Sequence, residues 1–131
     1  MISNNLKHLF LLSLIPIYLH GMEEIVNGFQ QVDVFMVYGA SYFQTTPEVF
    51  YWISHIIWWV SLPLLYLLLN KSRFALPLMT VFSLVFIIEL HHPIKGLLIH
   101  QYYPGMITAL FYPIFGLFYW QQLIREWRNK K

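Results

Sequence analysis

The sequence predicts an all-α fold, a four-span transmembrane helical bundle with both termini cytoplasmic, and three observations carry that expectation. Apolar residues make up 58% of the 131 positions and charged residues only 11%, against about 25% charged in soluble domains. Four apolar segments, at about 6–29, 49–69, 74–92 and 106–124, each approach the ~20 residues that a helix needs to cross ~30 Å of hydrocarbon. The basic residues then set the sidedness, because short cytoplasmic loops collect Lys and Arg. With both ends inside, the inner side carries Lys7, Lys71, Arg73, Arg125, Arg128, Lys130 and Lys131, and the outer side only Lys95.

The first span follows Lys7, where a secretory signal would also stand. No small-x-small cleavage site follows Tyr18, since His20, Gly21 and Met22 come next, so the segment is read as a retained span. A loop from about Gln30 to Pro47 holds Asp33 and no basic residue. Its end announces the second span, with Thr46 as cap, Pro47 at the first helical position and Glu48 in the first turn. A tight turn, Asn70 to Arg73, makes the second and third spans antiparallel neighbours. The third span closes at His92. The stretch His92 to Gly105 is half apolar and is expected to lie in the interface or re-enter it before the fourth span. Pro16, Pro63, Pro77 and Pro113 fall inside spans, where neighbouring helices can re-satisfy the freed carbonyls. The length fits one domain, and the 19% aromatic content suits interfacial belts of Trp and Tyr.

Composition also excludes. A net charge of +2, spread along the chain, gives no basic patch for nucleic acid. The absence of cysteine removes disulfides, zinc ribbons and thiol catalysis, so a metal here must be held by histidine and carboxylate.

Ionisable residues gather in one layer. His20, Glu23 and Glu24 lie toward the outer end of the first span. Glu48 opens the second, with His55 two turns deeper. Glu89, His91 and His92 close the third, and His100 leads through Tyr102-Tyr103-Pro104-Gly105 into the fourth. His8 and Glu126 fall outside this layer, at the inner end. Lipid tails cannot solvate a carboxylate, so these groups are expected to face the bundle interior. Residues three and four apart share a helix face. That makes His20, Glu23, Glu24 and Asn27 one polar stripe above Ser13, and makes Glu89 and His92 a second pair. Glu48 and His55 form a third face. Adjacent residues diverge on a helix, and of His91 and His92 the latter is favoured because it pairs with Glu89. Glu-x-x-His arms on facing helices build carboxylate-bridged metal sites in bundles. His20, Glu23, Glu89, His92, His100, His55 and Glu48 are therefore candidate metal ligands, sufficient for one or two divalent ions, zinc or iron. Against this stands a plainer role in which single polar residues, His55 and Glu48 above all, only bond a neighbouring helix.

The pentapeptide His20-Gly21-Met22-Glu23-Glu24, with His100 and Tyr102-Tyr103-Pro104-Gly105, resembles the HXXEE domain family of small bacterial membrane proteins. That family is marked by this motif, a further histidine and a Y-x-P-G motif. The resemblance covers most of the chain. It implies functional weight for His20, Glu23, Glu24, His100, Tyr102, Pro104 and Gly105, and adds no reaction.

The function expected first is a metal-dependent hydrolase or transferase acting on a lipid or lipid-linked substrate in the non-cytoplasmic half of the plasma (inner) membrane. In it Glu24 is the base that deprotonates a metal-bound water, and Tyr102 or Tyr103 donates to a developing oxyanion. Two alternatives stay open: a di-iron oxidoreductase of the hydroxylase or desaturase type, and a protein that binds or transports haem, metal or protons without catalysis. A fourth reading is an accessory subunit whose polar layer only holds helices together. The partners expected are the bilayer and a lipid-like small molecule. Four short spans also leave room for a homodimer.

Overall fold

The computed structural model describes residues 2–69 and 74–129. Helix α1 (Asn4–Val26) starts where the Ser3 side chain accepts from the Leu6 amide, and it stops at Asn27, before Gly28 turns the chain with φ +71°. Two short helices follow, α2 (Phe29–Val32) and α3 (Val34–Tyr42). The segment expected as a loop is thus largely helical, and Asp33 is the reason. Its Oδ1 accepts from the Phe35 and Met36 amides and satisfies the free N–H groups that open α3. Helix α4 (Pro47–Leu69) begins as the sequence indicates, with the Val49 amide donating to Thr46 Oγ1.

The third span is built from α5 (Ala75–Phe82), α6 (Val85–Ile88) and α7 (His91–Ile99). It therefore runs to Ile99, past the expected end at His92. Pro93 has no N–H to give the Glu89 carbonyl, which accepts from His92 instead, and the ladder resumes with Ile94 donating to Leu90. One lost bond loosens the helix at Glu89–Leu90 without ending it. Glu89 and His92 lie inside the span as a result, and the connection to the next shrinks to six residues, 100–105. The fourth span joins α8 (Met106–Ala109) to α9 (Tyr112–Asn129), with a comparable break before Pro113. The turn Asn70–Arg73 lies outside the described residues, as do Lys130 and Lys131.

Four helical spans, Asn4–Val26, Pro47–Leu69, Ala75–Ile99 and Met106–Asn129, are long and apolar enough to cross a bilayer. The distribution of surface agrees with that reading. Leu12, Ile15, Ile53, Ile57 and Leu67 are exposed, while Ser13, His20, Glu24 and His92 are buried. A water-soluble chain does the reverse. Helix α1 is central, packing on α4, α8 and α9, while α9 also packs on α5 and α6. Small residues permit the close approaches. A Cβ on Gly21 would stand 2.5 Å from the Trp59 ring, and one on Gly116 would stand 2.9 Å from Phe86 Cβ. At one end of the bundle the Ser3 amide donates to Glu126 Oε1, so the two chain ends meet there.

Candidate metal centre

Two residues of α1 and two of the third span aim at a common point. His20 stands six residues before the end of α1 and His92 seven before Ile99, which sets them roughly 10 Å inside the span ends at 1.5 Å per residue. One donor atom each from His20, Glu24, Glu89 and His92 lies within 4.8 Å of all the others. The four imidazole–carboxylate separations form a closed ring. His20 Nε2 lies 3.1 Å from Glu89 Oε2 and 3.7 Å from Glu24 Oε1, and His92 Nε2 lies 3.2 Å from each of those same oxygens. A tetrahedron of donors with zinc bonds of ~2.0–2.1 Å has edges of about 3.3–3.4 Å. The ring fits that size.

The protons on the histidines follow from their outer hydrogen bonds. His92 Nδ1 lies 2.5 Å from the Pro104 carbonyl, which can only accept, so Nδ1 carries the hydrogen. The Thr108 hydroxyl donates to Glu23 Oε2, which leaves its oxygen to accept from His20 Nδ1 at 2.9 Å. His55 Nδ1 likewise faces an acceptor, the Tyr51 carbonyl, at 3.1 Å. In each neutral ring the lone pair is then on Nε2, and each Nε2 is directed at a carboxylate oxygen, that of His55 at Glu24 Oε2, 3.0 Å away. His92 Nε2 is fully buried and touches two carboxylate oxygens, yet it forms a hydrogen bond to neither. Lone pairs facing lone pairs at this range are repulsive unless a proton or a metal ion lies between them. Metal-bound histidines typically show this pattern, with the far N–H tied to a carbonyl or other acceptor.

The surroundings hold those rings in place. Glu23 points away from the four donors. Its carboxylate accepts from the Ile107 and Thr108 amides, the Thr108 hydroxyl and the Tyr102 hydroxyl, and so caps the start of α8. The chain Glu23–Thr108–His20 links that cap to a donor ring. Gly105 has φ +87°, and a Cβ there would lie 2.6 Å from His92 Nδ1 and 2.7 Å from His20 Cε1, so only glycine passes between the two imidazoles. Tyr103 donates to Asp33 Oδ2 and accepts from Lys95, tying α7 and the Y-x-P-G turn to the cap of α3. Burial and the bond to Glu23 push the Tyr102 phenol up to about 12, and burial beside Asp33 pushes Tyr103 higher, so both keep their protons as donors.

The sequence-predicted residues separate accordingly. His20, Glu89 and His92 come together. Glu24, expected as a free base, joins them as a donor, because its Oε1 is enclosed by their nitrogens. His55 approaches the other Glu24 oxygen. Glu23 is not in the ring, for the reason given. Glu48 is exposed on the first turn of α4, and His100 is exposed with φ +51° at the C-terminal cap of α7, so neither reaches it. Tyr102 and Tyr103 spend their hydroxyls on Glu23 and Asp33 and present none to the ring. His91 bonds the Ile88 carbonyl and packs at a tilt against His92, leaving the inward position to its neighbour. Asn27 only caps α1, and Ser13 bonds the Phe10 carbonyl. The sequence reading missed Thr108, Tyr51, the Pro104 carbonyl and the pairing of Asp33. Of these only Asp33 had a visible signal, as an acidic residue before an apolar run.

A cavity of about 320 Å³ adjoins the centre, lined by His20, Glu24, His55, Glu89, Trp58 and Tyr112 among others. A second, almost wholly apolar cavity of about 400 Å³ lies between the second and third spans, along Leu65, Leu78, Val81 and Val85. The two share Trp58, Ile88 and Glu89. Comparison of the chain with protein-family models, with curated proteins and with solved structures finds no match.

Proposed function

We propose that the protein is a membrane-embedded, metal-dependent hydrolase or transferase acting on a lipid or lipid-linked substrate. One observation carries this reading: the His20 and His92 Nε2 lone pairs converge on the Glu24 and Glu89 carboxylates in a ring of the size that holds a divalent ion. Two nitrogens and two oxygens suit zinc. His20, Glu24 and His92 are buried and serve as the fixed ligands. The Glu89 side chain is 21% exposed and lines both cavities, so it would be the ligand to give way to water at a bound ion. The ion, when bound, polarises the substrate oxygen and brings water to a pKa of ~7. Glu89 then takes the base role that the sequence suggested for Glu24. It accepts the water proton as the water oxygen bonds to the acyl or phosphoryl centre, and it returns that proton to the departing oxygen as its bond breaks.

The substrate class is supported by the two neighbouring cavities, which share Trp58, Ile88 and Glu89. A reactive head fits the one that holds the centre. A hydrocarbon chain fits the apolar one, which follows the third span from Leu78 to Ile88, on the order of 15 Å. The centre lies toward the ends of the spans opposite the chain ends. With both termini cytoplasmic, as the basic residues indicate, it belongs to the non-cytoplasmic half of the plasma membrane.

Elemental analysis of detergent-purified protein tests the reading. At least one equivalent of zinc is expected, falling to background in His92→Ala and in Glu24→Gln. Zinc at background in the wild type, equal to that in His92→Ala after reloading, overturns it. Iron near two equivalents replaces it with the oxidoreductase.

A further inference from the structure

We infer that Glu24 bridges two cations, the second held by Glu24 Oε2, His55 and Tyr51. The inference rests on the four-donor centre just proposed and extends it. In that centre the open position that catalytic sites keep arises only where Glu89 withdraws. The neighbouring donors offer a second ion positions that no protein atom fills.

The geometry starts with the two oxygens of one carboxylate. Glu24 Oε1 faces His92 Nε2 at 3.2 Å, and Oε2 faces away from it, 3.0 Å from His55 Nε2 and 3.0 Å from the Tyr51 hydroxyl. The His55 Nδ1 hydrogen is committed to the Tyr51 carbonyl, so Nε2 presents its lone pair to Oε2. The Tyr51 hydroxyl has a second acceptor in the Gly21 carbonyl at 3.2 Å. A proton placed there leaves the phenol oxygen free to face a cation. Its ring stacks on that of His55, centroids 3.7 Å apart, and this fixes both donors. His55 Nε2 and the Tyr51 hydroxyl thus each stand as close to Glu24 Oε2 as the donors of the first ring stand to one another. The His55 side chain is 16% exposed and lines the cavity beside the centre, so the remaining positions open onto it. A carboxylate bridge between two such ions sets them about 3.5–4 Å apart, the spacing at which both attacking and departing oxygens are held.

The plainer reading is a His55–Glu24–Tyr51 hydrogen-bond cluster with no ion in it. Titration of the metal-free wild-type protein in detergent with cobalt(II), followed by visible absorption and electron paramagnetic resonance, separates the two. Two equivalents are expected, with the high-spin signal of the first weakening as the second enters and couples to it through Glu24. His55→Ala is expected to take one equivalent and keep the uncoupled signal. Tyr51→Phe, which preserves the packed ring, is expected to weaken only the second step. One equivalent in the wild type, unchanged by His55→Ala, overturns the second position and leaves the first standing. Two equivalents retained in His55→Ala also overturn it. No bound cobalt in the wild type overturns both.

Discussion

Gly105→Ala puts the centre under the sharpest test. The added methyl would lie 2.6 Å from His92 Nδ1 and 2.7 Å from His20 Cε1, at a backbone φ of +87°. The left-handed backbone alone costs an alanine roughly 1–2 kcal/mol. Forcing a methyl into packed neighbours adds typically 1–3 kcal/mol. Losing the His92–Pro104 hydrogen bond adds about 1 kcal/mol. The sum is about 3–6 kcal/mol, and it falls on the two imidazoles whose Nε2 atoms face Glu24 and Glu89. Gly28→Ala is the control. Its φ of +71° carries the same backbone penalty, but its nearest neighbour, Gln31 Oε1, is 4.0 Å from the new methyl. Thermal unfolding in detergent should show a shift of a few degrees for Gly28→Ala and one several times larger for Gly105→Ala. Metal content, read on the folded fraction, should be normal in the first and at least tenfold lower in the second. Equal shifts in the two variants, with metal retained in both, would refute the argument that Gly105 is there to let two ligand rings approach.

Other outcomes follow from the same contacts. Thr108→Val removes the acceptor for His20 Nδ1–H and should lower zinc affinity about 10–100-fold by competition with a chelating dye, as loss of an outer-shell partner does. Glu48→Gln and His100→Ala change exposed residues outside the donor ring and should leave metal content at the wild-type level. Tyr103→Phe removes one donor from the buried Asp33 Oδ2, which keeps Lys95 Nζ at 3.5 Å, and should cost about 1 kcal/mol of stability, read by thermal unfolding, while zinc content stays near normal. Both phenols of the Y-x-P-G turn have folded pKa values raised above the ordinary tyrosine value. The stability they add is therefore complete below pH ~10 and lost as the pH rises through the folded values. Ultraviolet titration should show Tyr102 ionising near 12 and Tyr103 later. An early step at pH ~10 that vanished in Tyr103→Phe would contradict this.

Much of the layout was legible in the residues. The span starting at Pro47 could be placed because Thr46 and Pro47 are local signals. The third span could not be ended correctly. The expected end, His92, stands just before Pro93, and whether a proline ends a helix or only loosens it depends on the neighbours that cover the freed carbonyl. Asp33 drew attention as the one acid of its loop, but its bond to Tyr103 joins positions 70 residues apart, which no spacing rule reaches. The same holds for Thr108 and His20, 88 residues apart.

Glu23 and Glu24 mark the boundary between the two kinds of information. Their chemistry, in an apolar helix, already required both to find partners away from lipid, because hydrocarbon offers a carboxylate nothing in exchange for water. That requirement, together with the four spans and the common depth of the histidines, was set by sequence alone. Adjacent helical residues point about 100° apart, however, and which direction meets amides and which meets imidazoles depends on how α8 and the third span dock on α1. The tertiary structure sends Glu23 to cap α8 and Glu24 to the histidine nitrogens, and packing alone decided which of the two meets the imidazoles.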